Sequence, residues 1–292
     1  MKLDAPLRAW LAGEVGQVVP VCQLVGGTSS QMLRLRRDDG SGDIVVRRWS
    51  RELESAPALV RREAAGLDAL AASGLPIPRL IAADPDGGAS GLPTTVTTFV
   101  DGSVELAPPY RRGWVRQLAA MLVRIHAVPI PDLAPCDPWT GRDPVWLRDQ
   151  GLIAAATDLA TRLTRPEDVV VSHGDYQHFN VLWHHGEVAH VIDWPNAGLA
   201  NRGRDVGHCR LNLAVLFSAD TAMQFLDDYE ELAGLRVDPS ADIERLLGFD
   251  DSWPEFIPIQ LAGRAVVDGP GMARRIRETV IRTLDRAARS SY

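Results

Sequence analysis

The sequence predicts an α+β chain in two lobes, a small β-rich N-terminal lobe with one main helix and a larger, mostly helical C-terminal lobe. Three observations carry this. Short apolar runs bounded by Gly, Asp and Ser turns crowd the first part of the chain, for example residues 18–24, 43–49 and 94–100. Beyond residue 102 the apolar positions recur at helical spacing instead. Within that helical part lie two short β-branched runs, Val169-Val170-Val171 and Val191-Ile192, each delivering polar residues at its end. The change of character sets the expected division: residues 1–100, a hinge near 98–102, then residues 103–292, with a cleft between the lobes.

Residues 3–15 read as a helix with Leu3, Leu7, Trp10 and Leu11 near one face, and Pro20 lies beyond its end. Val18 to Leu24 is a strand that runs into Gly26-Gly27-Thr28-Ser29-Ser30, and residues 32–36 are its partner. Such a small-residue turn is either a plain hairpin or a place where backbone N–H groups approach a phosphate. Residues 43–49 form a third strand; alternation puts Val45, Arg47 and Trp49 on one face and Ile44, Val46 and Arg48 on the other. A helix over 57–72 carries the stripe Leu59, Ala64, Leu67 and Leu70 and ends before Gly74. Glu63 falls in this helix, where the local pattern predicts a solvated charge paired with Arg61 or Arg62. A hairpin with its turn at 84–91 and its second arm at 94–100 closes the lobe.

Residues 114–127 carry Val115, Leu118, Ala119, Leu122 and Ile125 at the spacing of a buried helix. Five prolines between 129 and 144 enforce an irregular connection, and helix returns over 147–163. After Trp194, helical patterns cover 205–217, 221–232, 243–247 and 257–288, the last interrupted by Gly-Pro-Gly at 269–271.

Composition narrows the partners. Of 292 residues, 46% are apolar and 24% charged, as in an ordinary globular protein. A net charge of -7 argues against a nucleic-acid partner and suits a small or cationic ligand. Lys2 is the only lysine, so any chemistry that needs a cation falls to arginine. Cys22, Cys136 and Cys209 are far apart with no CxxC pair, no run reaches the roughly 18 apolar residues of a membrane span, and the N-terminus lacks the apolar core of a signal peptide. A cytoplasmic protein without membrane contact, monomeric or homodimeric, is expected.

The chemistry gathers at residues 172–194. Six of the seven histidines (His173, His178, His184, His185, His190, His208) lie there or close by, which raises a zinc hydrolase. A zincin site needs two histidines four apart on one helix with a glutamate beside the first; no HExxH occurs, and His173 and His178 are five apart around Gly174. The carboxylates and amide make the better set. Asp175 follows the first apolar run, Asn180 comes five residues later, and Asp193 ends the third run. Two carboxylates and an amide on short loops suit a magnesium ion, which takes a few oxygen ligands and leaves room for phosphate oxygens, with one Asp left to orient a hydroxyl.

At HGDYQHFN followed by VIDW the sequence resembles the catalytic loop and metal-binding motif of the aminoglycoside phosphotransferase family, whose fold is protein-kinase-like. The resemblance spans roughly residues 18–215 and gives roles to earlier features. It implies a phosphate loop at Gly26, Gly27, Ser29 and Ser30, a cation at Arg47 where lysine is usual, its helix partner Glu63, and a hinge at Thr98, Phe99 and Val100. Val45 would cover the adenine, and Leu122-Val123-Arg124-Ile125-His126 matches the family's helix ending. Asp175 then corresponds to the catalytic aspartate, Asn180 and Asp193 to magnesium ligands, His173 to a brace of the loop, and Asp205 to the aspartate that supports that loop from a helix start. Ala200-Asn201-Arg202 and Pro195-Asn196 depart from the family's usual Gly-Asp-Pro and acidic residues.

The implied activity is transfer of the γ-phosphoryl group of ATP, or another nucleoside triphosphate, with Mg2+, to a hydroxyl of a small molecule. An aminoglycoside-type antibiotic is one acceptor; Asp227, Asp228, Glu230 and Glu231 are either an acidic surface for such a polycation or an exposed helix face. The alternatives are a metabolic kinase of the same fold (choline, homoserine, methylthioribose or a sugar) and a non-catalytic nucleotide-binding protein.

Overall fold

The computed structural model describes residues 3–24, 30–108, 110–136, 144–162, 168–249, 253–261, 264–266 and 268–290. The chain forms two compact units: Met1–Gly102 with His190–Ala197, and Ser103–Ala189 with Gly198–Tyr292. The segment that carries Asp193 thus belongs to the N-terminal unit although it is distant in sequence.

The first unit is a five-stranded antiparallel sheet with a helix against each face. Helix α1 (Ala5–Glu14) starts at Asp4, whose carboxylate accepts from the Leu7 N–H at 2.9 Å, with Pro6 in the first turn. Strands β1 (Val18–Leu24), β2 (Ser30–Arg37) and β3 (Asp43–Trp49) form a meander, β4 (Leu80–Asp84) and β5 (Thr94–Thr98) a hairpin, and the spatial order is β1-β2-β3-β5-β4. The alternation expected of β3 is observed. Ile44 and Val46 pack with Leu7, Leu11, Leu33, Leu35 and Val96 beneath α1, while Trp49 packs on Ala56 and Val60 of helix α2 (Ala56–Leu70). Arg48, on the α1 face, pairs with Asp4 at 2.6 Å and donates to the Ser90 carbonyl at 3.0 Å.

The second unit is helical around two small pieces of sheet. Helix α3 (Arg111–His126) buries Trp114, Leu118, Leu122 and Ile125, as its spacing requires. Helix α4 (Gln150–Ala160) begins later than the pattern suggests because Asp149 caps it, accepting from Leu152 N–H at 3.0 Å; residues 145–147 form a separate 3-10 turn. Strand β6 (Val169–Ser172) leads to the His-Gly-Asp turn, and β7 (Val181–His184) with β8 (Glu187–Val191) forms a hairpin. Strand β9 (Gly198–Asn201) pairs antiparallel with β6 and was not expected, since four residues with no apolar alternation give no strand signal. Gly198 also lets residues 134–136 lie against β9: a Cβ there would lie 2.8 Å from the Ala134 carbonyl and the Cys136 amide.

Helix α5 (Gly203–Leu216) is buried along most of its length and is flanked by α6 (Ala219–Ala233), α7 (Pro239–Leu246) and α9 (Gly269–Ser290); α8 (Trp253–Leu261) precedes α9. The interruption expected at 269–271 falls where α9 begins, because Gly269-Pro270 opens that helix; proline suits a first helical turn, where its missing N–H is no loss. Helix α7 starts at Pro239 rather than Ile243 for a similar reason, with Asp238 accepting from Ser240 N–H. Arg210 and Asp242, both fully buried, form an ion pair that ties α5 to α7, and Arg210 also donates to Thr283 of α9 at 2.9 Å.

Candidate active site

In the first unit Arg47 lies at the centre of a buried polar cluster. Its position on β3 points it toward α2, where its Nη1 is 3.2 Å from Glu63, and its Nη2 is 2.7 Å from Asp193. Thr95 on β5 donates to the other Glu63 oxygen at 2.8 Å. Arg47 and Glu63 are 8% and 5% exposed, so Glu63 is not the solvated helix charge that its local sequence suggests. A buried carboxylate needs a cation and donors, and Arg47 with Thr95 supplies both. Asp193 has φ +72°, a left-handed conformation that Asp tolerates better than most residues. Gly66 of α2 lets this segment approach, since a Cβ there would come 2.9 Å from the Ala197 side chain.

In the second unit the chain turns sharply after β6 at Gly174, φ +79°. Asp175 projects from the turn, partly buried. Its Oδ1 is 2.6 Å from His208 Nε2 and accepts from Gln177 at 3.0 Å; its Oδ2 accepts from Asn180 at 3.1 Å. Burial would raise the Asp175 pKa, but the hydrogen bonds of His208 and Asn180 and the His208 and His173 charges outweigh it, and the carboxyl is held below its ordinary value. Asn180 also donates to the Asp175 carbonyl at 2.9 Å. Because its N–H2 is spent on Asp175, its carbonyl oxygen is the atom left to meet a cation.

The turn itself is held from below. Asp205, at the start of α5, accepts from the His173 amide at 2.8 Å and the Gly174 amide at 2.9 Å, and His126 Nε2 lies 3.2 Å from it. His126 Nδ1 is 2.6 Å from the Tyr229 hydroxyl, which accepts from Arg202 at 3.0 Å; Arg202 in turn binds Asp168. These donors set one tautomer: Arg202 gives to Tyr229, Tyr229 to His126, and His126 to Asp205. Burial pushes the His126 pKa down, opposed by Asp205. Burial would push Asp205 up, yet the His126 and backbone hydrogen bonds hold it far below the usual carboxylate range.

Arg47, Glu63 and Asp193 come together in the first unit, and Asp175, Asn180, His173 and Asp205 in the second. Gly26, Gly27 and Ser29 lie outside the described residues; Ser30 opens β2, paired with Trp49. Val45 is half-buried on the Arg47 face. Thr98 accepts from the Arg79 amide at 2.9 Å, Phe99 lies under the Arg34 guanidinium at 3.8 Å, and Val100 is half-buried.

The histidines do not form a zinc site, and among the described residues no three His, Cys, Asp or Glu side chains converge to hold a metal. His178 is buried against Phe179, Trp114 and Phe217, its pKa lowered by burial to about 3. The His184 and His185 rings lie against each other at a tilt, centroids 4.1 Å apart, and His190 meets the Asp101 carbonyl. Three members of the acidic set on α6 are paired rather than bare. Arg116 binds Asp228 at 3.1 Å and Glu231 at 2.8 Å, and Glu230, 5% exposed, pairs with Arg236 and Arg286.

Sequence reasoning passed over His208 and Gln177 as partners of Asp175, and Tyr229 and Arg202 as supports of Asp205. One signal existed for His208: it stands three residues after Asp205 on α5, hence on the same helix face.

The sequence matches the phosphotransferase enzyme family over residues 20–249. No curated protein matches it. Among solved structures, a Ralstonia eutropha JMP134 protein provisionally described as an aminoglycoside phosphotransferase is similar at 17% identity, with 99% of each chain covered and a TM-score of 0.65. A thermostable variant of an aminoglycoside phosphotransferase in complex with ADP and hygromycin B is 17% identical, covering 96% of this chain and 98% of that one, with a TM-score of 0.62. The macrolide 2'-phosphotransferase of Brachybacterium faecium is 18% identical over 97% of this chain and 98% of its own, with a TM-score of 0.54. Identities this low establish the fold alone, which is the kinase-like fold of aminoglycoside phosphotransferases. With about four-fifths of its length, the His-Gly-Asp turn included, inside the family match, the chain belongs to the phosphotransferase enzyme family.

Proposed function

We propose that the chain is an ATP- and magnesium-dependent kinase that transfers the γ-phosphoryl group to a hydroxyl of a small molecule. One observation carries this reading: Asp175 is kept ionised and fixed by three side-chain donors on a turn that a buried aspartate supports. A carboxylate so held can accept a substrate hydroxyl, and phosphoryl transfer asks the protein mainly for positioning and charge neutralisation. Arg47 is the cation for the α- and β-phosphates, oriented by Glu63. The Asn180 carbonyl oxygen and the Asp193 carboxylate are hard oxygen donors, the class that magnesium takes. When bound, the ion would neutralise the charge on the transferring phosphoryl group. Gly26, Gly27, Ser29 and Ser30 are assigned to the phosphate loop, and Val45, Thr98, Phe99 and Val100 to the adenine.

For the acceptor, a second reading has support. Three of the four acidic residues on α6 that could attract a polycationic antibiotic, Asp228, Glu230 and Glu231, are already paired with Arg116, Arg236 and Arg286. This favours a hydroxylated metabolite over an aminoglycoside.

The test is ATP consumption by the purified protein with magnesium over a panel of hydroxylated antibiotics and metabolites. We expect turnover on one acceptor class, abolished by chelation and by Asp175→Asn, with nucleotide binding retained in the variant. Turnover that survives Asp175→Asn would sink the mechanism. Tight ATP binding with no turnover on any acceptor would instead identify a nucleotide-binding protein.

A further inference from the structure

Counting donors on Asp175 separates its two oxygens. A carboxylate offers about four lone-pair sites, two on each oxygen. Oδ1 receives His208 Nε2 at 2.6 Å and Gln177 Nε2 at 3.0 Å, which fills it. Among the described residues Oδ2 receives only Asn180 Nδ2, at 3.1 Å. We propose that His208 is a positioning residue that anchors Oδ1 of Asp175 and so selects Oδ2 as the oxygen that takes the acceptor's hydroxyl; this rests on the kinase reading given above.

The geometry suits the role. His208 comes from α5, one turn after Asp205, so a single rigid helix holds the turn from below through Asp205 and the carboxylate from the side through His208. Helix α5 is itself fixed against α7 at Gly207, the residue before His208, where a Cβ would run into the Asp242 carbonyl. The three donors differ in kind. Gln177 and Asn180 sit on the same short loop as Asp175 and move with it, whereas His208 ties the carboxylate to the helical scaffold. Two donors on Oδ1 draw charge from it and leave Oδ2 the more basic oxygen. As the acceptor oxygen bonds to phosphorus and the bond from phosphorus to the ADP oxygen breaks, the hydroxyl proton passes to Oδ2 and is later lost to solvent. Without His208 the carboxylate can rotate about its Cβ–Cγ bond, and the proton-accepting oxygen is no longer aimed.

The experiment measures ADP release from ATP and magnesium by the full-length protein, with water as acceptor and with any acceptor found on the panel, for wild type, His208→Ala and His208→Gln. The expected result is a kcat lowered about 10- to 100-fold in His208→Ala, a KM for ATP within about twofold, and recovery of much of kcat in His208→Gln, which restores an N–H donor. A wild-type kcat in His208→Ala overturns the proposal, and so does a loss seen only in KM or shared equally by Gln. A second measurement is independent of turnover. The ring N–H proton of His208, assigned in ¹⁵N-histidine spectra by its loss in His208→Gln, should lie downfield in wild type and move in Asp175→Asn. If no ADP is released with any acceptor the kinase reading fails, while a His208 signal that ignores Asp175→Asn overturns the pairing itself.

Discussion

One guanidinium, that of Arg47, holds Asp193 at 2.7 Å through Nη2 while its Nη1 lies 3.2 Å from Glu63. A planar fork can span two carboxylates in this way, and a lysine ammonium on a flexible stem cannot fix both. If Arg47 also meets the phosphates, Arg47→Ala should raise the apparent KM for ATP about tenfold or more, equivalent to about 1.4 kcal/mol of lost binding, and leave that of the acceptor little changed. Arg47→Lys should fall between. Arg48 cannot take over, since it is committed to Asp4 and Ser90 on the opposite face of β3. Initial-rate kinetics with each substrate varied would decide it; an unchanged ATP constant in Arg47→Ala would remove Arg47 from the nucleotide site.

Glu63 carries a stability prediction. Its carboxylate is buried between Arg47 and Thr95, so removing it leaves the Thr95 hydroxyl and one end of the guanidinium without their acceptor. Glu63→Ala should cost about 3–5 kcal/mol, the usual penalty for breaking a buried pair from one side. Glu63→Gln keeps an acceptor for Thr95 and should cost less. Denaturant unfolding of both variants tests the order, and equal losses would mean that the charge matters little.

That pair shows where the sequence was legible and where it was not. The strands of the first unit, the two faces of β3 and the buried stripe of α3 follow from apolar periodicity, which is local and strong. Glu63 read locally as a solvated charge because its burial is set by residues 16 and 32 positions away, Arg47 and Thr95. Family resemblance supplied what periodicity could not, pairing Arg47 with Glu63 and placing Asp205 under the turn. His208 escaped both routes, since its partner lies 33 positions back and only the packing of α5 brings them together. Strand β9 escaped because Gly198–Asn201 pairs through backbone alone.

The His126 network predicts a pH dependence of stability. Burial lowers the His126 pKa below 6.5 in the folded protein, so the fold favours the neutral ring. A lowered imidazole pKa contributes stability that is fully present above the unfolded value and is lost as pH falls below it toward the folded one. Asp205, also lowered, adds its loss only at much lower pH. Unfolding free energy should therefore begin to fall below about pH 6.5, with His126 contributing up to about 1.4 kcal/mol per pH unit for its one proton and His178, also lowered by burial, adding its own share over the same range. His126→Gln should be less stable at neutral pH by about 1–3 kcal/mol, with Asp205 and Tyr229 poorly satisfied, but should show a shallower acid limb. Denaturant titrations at several pH values would test this; parallel limbs in the two proteins would exclude His126 as the source.

Two glycines of α5, Gly203 and Gly207, separate stability from positioning. At Gly203 a Cβ would lie 2.5 Å from the Ala241 side chain, and at Gly207 it would collide with the Asp242 carbonyl and approach the Arg245 Cβ at 2.8 Å. Replacing an interior helix glycine such as Gly207 by alanine gains about 1 kcal/mol in helix propensity, and less at Gly203, the first residue of α5, whereas overpacking costs about 1–3 kcal/mol, so both variants should lose stability on balance. They should differ in turnover. Gly207 adjoins His208, and a shift of α5 away from α7 at that point would move the imidazole relative to Asp175, while Gly203 lies one turn earlier and nearer Asp205. At a temperature where both variants are folded, Gly207→Ala should lower kcat for ADP release more than its loss of stability explains, and Gly203→Ala should not. If the two lose kcat in proportion to stability alone, the contact of α5 with α7 holds the fold and does not tune the aim of Asp175.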